Sequence, residues 1–173
     1  MRLFFVSLLF IYQSLALYAY ESEDKLKTVI VGKVAKYILW KEQTLDSFVI
    51  TVLNNEFFTL FDEVYKDRTI KNRAVEIKYI TDIDDLEDTD ILFISQKNLH
   101  DIDDILDKVE KTNILTISDL RGFAQKRGCI QLYFLGRKLK LKLNIDIMKA
   151  KQFKVDKRLI RVSEIVKGDE DVK

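Results

Sequence analysis

The chain has 173 residues with 29 Lys+Arg against 28 Asp+Glu, one histidine, one cysteine and no proline. Apart from Arg2 near the N-terminus, basic and acidic residues balance at 28 each, so no net field draws nucleic acid or an anionic surface. Cys129 as the single cysteine excludes an intramolecular disulfide, leaving packing to hold the fold and an intermolecular bridge as an open alternative.

Met1-Arg2 precedes an apolar run from Leu3 to Tyr12, and Ser14-Leu15-Ala16 sets small residues at the −3 and −1 positions of a cleavage site. Residues 1–16 therefore read as a secretory signal peptide, with a cut after Ala19 as the alternative, and residues 17–173 as one domain. The rival is a retained anchor, but the run is about half the ~20 residues that span a bilayer. No direct membrane insertion is expected after cleavage.

From Glu21 to Trp40, Leu26, Ile30, Val34 and Ile38 recur at helical spacing, with Lys25, Lys27, Lys33, Lys36 and Lys41 for the wet side. Glu21, Glu23 and Asp24 suit the positive end of that helix. The plain reading packs it on a sheet; a basic helix on a membrane surface is the other. Phe48 to Leu53 is a buried strand broken by Asn54-Asn55, and Phe57, Phe58, Phe61, Val64 and Tyr65 then follow a helical register. Val75, Ile77 and Tyr79 alternate with Glu76 and Lys78, a strand with one wet face near an edge.

Ile91 to Ile94 is a second buried strand, Leu99, Ile102, Ile105, Leu106 and Val109 mark a helix, and Ile114 to Ile117 is a third apolar strand. Gly122 and Gly128 let the chain turn on both sides of Phe123. Between Gly128 and Ile130, Cys129 reads as a small buried hydrophobe against the alternative of a reactive thiol. Ile130 to Phe134, Leu135-Gly136-Arg137 and Lys138 to Leu143 form an antiparallel hairpin, with lysines on one face of its second strand. Asn144 can cap a short helix through about Phe153, residues 157–166 close the fold, and the tail from Gly168 is charged and frayed. The expected class is α/β: a mostly parallel sheet covered by helices on both faces, with a C-terminal antiparallel hairpin.

Chemistry is sparse. The glycines at 32, 122, 128, 136 and 168 form neither a dinucleotide fingerprint nor a phosphate loop. His100, among Asp101, Asp103 and Asp104, reads as a surface residue rather than a catalytic base, and one histidine with one cysteine cannot build a usual zinc site. The acidic run Asp82, Asp84, Asp85, Glu87, Asp88, Asp90 lacks the glycine turn and terminal glutamate of a calcium loop, and its default reading is a solvated connection. No enzyme activity, metal or cofactor is expected.

What remains is a place, because ligands of open parallel sheets gather beyond the carboxyl ends of the strands. Those ends are Asn54-Asn55, Ser95-Gln96 and Ser118-Asp119, with Arg121 just beyond and able to hold a small anion with nearby amides. They serve a ligand or partner, or they simply end strands and cap helices. Phe123 beside Arg121 suits an interface anchor, and equally a core position.

Seven segments stand in a set order: Leu26 to Trp40 (LKTVIVGKVAKYILW), Phe48 to Leu53 (FVITVL), Thr89 to Ser95 (TDILFIS), Ile114 to Ala124 (ILTISDLRGFA), Gly128 to Phe134 (GCIQLYF), Leu141 to Ala150 (LKLNIDIMKA) and Arg158 to Val162 (RLIRV). That ordered set resembles the YfiR-like family of small exported bacterial regulators. Thr89 stands where cysteine is common, Lys41 where proline is common, and Cys129 where methionine is usual, so the disulfide-dependent stability of some members does not carry over. The resemblance implies a non-enzymatic periplasmic protein that binds and represses the extracytoplasmic sensor domain of a membrane-bound diguanylate cyclase, lowering cyclic di-GMP and biofilm formation. Related domains occur on histidine kinases, and the polar strand ends with Arg121 supply the alternative of a periplasmic small-ligand-binding sensory module feeding a histidine kinase or transport system. Homodimerisation is implied by the resemblance alone.

Overall fold

The computed structural model describes residues 23–41, 45–54, 59–96 and 100–167. The signal-peptide reading of residues 1–16, the frayed tail, and Asn55, Phe57, Phe58 and Leu99 lie outside the described residues.

Short β-branched runs become strands and the amphipathic runs between them become helices. Helix α1 covers 23–35 and leads into β1 (Ile38–Leu39) and β2 (Phe48–Leu53). Then come α2 (Leu60–Tyr65), β3 (Thr69–Ile70), β4 (Arg73–Ile80), β5 (Ile91–Ile94), α3 (Ile102–Val109) and β6 (Leu115–Ser118). The chain continues through α4 (Phe123–Lys126), β7 (Ile130–Leu135), β8 (Lys138–Asn144), α5 (Ile145–Ala150), β9 (Lys154–Val155), α6 (Lys157–Val162) and β10 (Glu164–Val166).

Eight strands form one sheet in the order β10-β8-β7-β6-β5-β2-β4-β3, and β1 pairs with β9 in a small antiparallel sheet. From β4 to β7 every neighbouring pair is parallel, and β7 and β8 are antiparallel as the hairpin pattern requires. Gly136 turns that hairpin at φ 61, a backbone region costly to a residue with a Cβ. The chain leaves β2 toward β4 and returns to β5 on the other side, so the switch point lies between β2 and β5.

The two faces carry two cores. Phe48, Ile50, Val52, Phe93 and Ile117 pack under Val31, Val34 and Ala35 of α1 and Phe61 and Tyr65 of α2. Leu53, Leu92 and Ile94 meet Ile102, Ile105, Leu106 and Val109 of α3 on the other face. Strand β2 is buried at every position, whereas β4 alternates with solvent and has only β3 beyond it.

Helix α1 corrects the sequence expectation twice. It stops at residue 35 because Ile38 and Leu39 pair with Val155 and Lys154, which removes the last turns up to Trp40. Its buried face runs through Asp24, Thr28, Val31, Val34 and Ala35 with Ile30 packed partly against the core, so of the expected stripe only Leu26 is exposed, at 38 %. The acidic connection is corrected at one position: Asp90 is buried and paired with Arg73 instead of solvated.

At the C-terminal end, Asp156 caps α6. Its Oδ1 accepts the Arg158 amide at 2.8 Å, and the Arg158 guanidinium donates to both carboxylate oxygens. Those bonds from Arg158 hold the Asp156 carboxyl at about 2, below its ordinary 3.8. A depressed value means that the stabilisation is complete above 3.8 and is lost as pH falls through about 2. A carboxyl-carbon NMR titration of Asp156 is expected to show a midpoint near about 2; a midpoint at 3.8 would mean that the cap is open in solution.

Candidate functional site

Register aligns Leu53 with Ile94 and Ile94 with Ser118, so β2, β5 and β6 end level with one another around the switch point. Asn54 ends β2 in the left-handed region at φ 53, which asparagine tolerates, and its amide donates to the Ile80 carbonyl at 2.9 Å. Strand alternation then sends Ser95 and Asp119 toward the α1 face and Ser118 toward the α3 face. Ser118 Oγ donates to the Ile94 carbonyl at 2.7 Å and accepts from the Leu120 amide at 3.0 Å. That hydroxyl turns the chain after β6, with its one donor and one of its two acceptor positions in use.

Helix α1 completes the ledge. Lys27 Nζ donates to Asp119 Oδ2 at 2.7 Å and to Asp24 Oδ1 at 3.2 Å, and all three side chains are nearly closed to solvent. Burial raises the Asp24 carboxyl above its ordinary range. Burial opposes the Lys27 ammonium, yet the hydrogen bond and charge of Asp119, joined by Asp24, carry it above the ordinary lysine value. Two carboxylates share one ammonium, which leaves the ledge an excess of acceptors. Ser95 Oγ and Asp119 Oδ1 have no hydrogen-bond partner although both are buried. Open buried polar atoms of this kind are uncommon in folded proteins.

The structure therefore brings Asn54, Ser95, Ser118 and Asp119 to one edge, with Gln96 exposed beside them. Asn55 lies outside the described residues. Arg121 is exposed beyond β6. Phe123 corrects the interface reading: its side chain is 0 % exposed within the α3-side core, because Gly128 leaves room for the ring. Sequence reasoning missed Asp24 and placed Lys27 on the wet side. The Asp-x-x-Lys spacing was visible, but the partner that buries it, Asp119, lies 92 residues away.

The two serines should respond oppositely to removal of their hydroxyls. Ser118→Ala should cost about 1–2 kcal/mol for two lost hydrogen bonds, whereas Ser95→Ala should leave stability unchanged or raise it by up to about 1 kcal/mol. Urea midpoints of the two variants check this; equal losses would mean that Ser95 is already partnered within the fold.

His100 is exposed, and Cys129 is fully buried, with burial pushing its thiol up and away from the reactive thiolate. Among the described residues, no three of His, Cys, Asp or Glu gather as a metal set, and no helix is long and apolar enough to cross a membrane. A groove of about 480 Å³ lies between α1 and α2, and a cleft of about 920 Å³ lies over the amino ends of β2 and β5.

The profile of YfiR/HmsC-like proteins matches residues 24–164, most of the chain and every described element from α1 to the start of β10. The chain belongs to the YfiR/HmsC-like family. No curated protein matches it. This YfiR/HmsC-like chain thus joins a family of regulatory, non-catalytic proteins, and the mixed α/β sheet with its terminal hairpin is its fold.

Proposed function

We propose that this YfiR/HmsC-like chain is a periplasmic regulator, exported with removal of residues 1–16, that binds the extracytoplasmic sensor domain of a membrane-bound diguanylate cyclase and holds it inactive. The family match over residues 24–164 carries the reading. Repression follows if the chain binds the inactive sensor state more tightly than the active one, since only a difference in affinity shifts the equilibrium. Roughly tenfold tighter binding contributes about 1.4 kcal/mol toward the inactive state.

In-cell crosslinking of a functional tagged chain tests it. The expected product is a membrane protein that carries a periplasmic domain and a cyclase domain. Recovery of the chain alone would contradict the proposal.

A second reading has its own observation. The open Ser95 Oγ and Asp119 Oδ1 beside Lys27 favour a small ligand with hydrogen-bond donors at the strand ends, a signal that the regulator passes on to its partner. Thermal shift with amines, amino acids and nucleosides is expected to show a stabilising ligand whose effect disappears in Asp119→Asn. An unchanged melting temperature across all three classes would remove this reading.

A further inference from the structure

We infer that the groove between α1 and α2 is the surface on which an acidic, partly apolar segment of the partner protein docks, an inference that rests on the regulator reading above. The groove is lined by Lys25 and Lys33 of α1, by Lys36 just after it and by Arg68 just after α2, all exposed, with Glu63 as the one acid among its lining residues. In a chain whose charges otherwise balance, four cations against one carboxylate make a local positive field. Between them Val29 and Val64 are half-buried and form an apolar floor.

The length of the groove selects the occupant. Lys25 and Lys33 lie eight residues apart on α1, about 12 Å at the ~1.5 Å rise per residue, and Lys36 follows in the turn beyond the helix. A single phosphate or carboxylate cannot reach both ends, whereas about four residues of extended chain at ~3.3 Å each can. A bilayer is too flat to engage the recessed valines between the lysines. Alternating acidic and apolar side chains on a protein segment satisfy both the rim and the floor.

The floor is built in advance. Tyr65 Oη accepts the Gly32 amide at 2.6 Å and donates to the Thr28 carbonyl at 2.6 Å, standing in the α1 ladder where Gly32 would otherwise bond Thr28. A Cβ on Gly32 would sit 2.6 Å from the Tyr65 ring and hydroxyl, so glycine is what allows the approach. This insertion ties α2 to α1 at fixed spacing, and a preformed groove binds without a large ordering cost.

The test uses the mature chain and two fluorescein-labelled hexapeptides, one alternating Glu and Leu, the other Lys and Leu, read by fluorescence anisotropy. Saturable, salt-sensitive binding of the Glu-Leu peptide is expected, weakened about tenfold or more in Lys33→Glu/Arg68→Glu, with preference shifted to the Lys-Leu peptide. The same reversal at Lys108 and Lys126, outside the groove, should change nothing. Equal affinity for the two peptides, indifference to the groove reversal, or binding only to anionic phospholipid vesicles would overturn the inference. A cellular arm separates the two claims. If deleting the gene raises cyclic di-GMP and the Lys33→Glu/Arg68→Glu chain restores it fully, the groove assignment falls while the regulator stands. If deletion changes nothing, the regulator reading falls first.

Discussion

Asp90→Ala is expected to cost about 3–5 kcal/mol, the range for removing one partner of a buried ion pair. Arg73 opens β4 and Asp90 immediately precedes β5, so the pair reaches across β2 at the amino end of the sheet. The guanidinium lies 2.6 Å from Asp90 Oδ1, donates to the Leu45 and Ser47 carbonyls at 3.0 Å and rests over the Phe48 ring at 4.9 Å. The other carboxylate oxygen accepts the Val49 amide at 2.9 Å, while Val49 returns its carbonyl to the Asp90 amide. Truncation would therefore strand a cation that is 11 % exposed and orphan a buried amide together. Urea unfolding of Asp90→Ala, Arg73→Met and the double variant should show a coupling of about 2 kcal/mol or more. A single-variant loss below about 1 kcal/mol would mean that the pair is solvated and the amino ends are held by the ladder alone.

Gly128→Ala is the second large effect, expected at about 2–3 kcal/mol from overpacking. A Cβ there would lie 2.1 to 2.5 Å from three atoms of the Phe123 ring, and that ring has no exposed surface into which to retreat. The Gly128 amide donates to the Phe123 carbonyl at 2.9 Å, so the backbone cannot open without breaking the turn after α4. Adding Phe123→Leu should recover part of the loss by shrinking the ring side of the contact. Thermal unfolding of the three variants decides it; wild-type stability in Gly128→Ala would show that the loop relaxes freely.

The contact between Gly128 and Phe123 also marks where sequence legibility stops. Phe48 to Leu53, Ile91 to Ile94 and Ile114 to Ile117 were readable as strands because a buried parallel strand shows a continuous apolar run, and the lysine alternation of β8 identified the hairpin. Asn144 was readable as a cap, and its Oδ1 does accept the Ile147 amide. Phe123 could be read either as anchor or as core, because the choice depends on a glycine five residues on and on α3 packing from elsewhere. Of the stripe expected on α1 only Leu26 is exposed, because Asp24 and Thr28 take the buried positions in the first turns, whereas Val34 and Ile38 are buried as their spacing required. β1 and β9 have two residues each, too few to carry a period.

The candidate ledge was legible in the same partial way. Strand ends fixed Asn54, Ser95, Ser118 and Asp119 along the chain, and the parallel register set them side by side. Which hydroxyl is consumed and which left open is a matter of distances: Ser118 has two partners, Ser95 none. Lys27 shows the larger gap. A lysine in a run of lysines looks solvated until the fold delivers Asp119 to it beside the local Asp24.

Cyclic di-GMP, measured in cells lacking the gene and in cells with the chain restored, tests the central claim most directly. The account predicts a rise on deletion, a return to the starting level on restoration of the exported chain, and no rise when the membrane cyclase is deleted as well. An unchanged level on deletion, in cells where the chain is produced and exported, would contradict it.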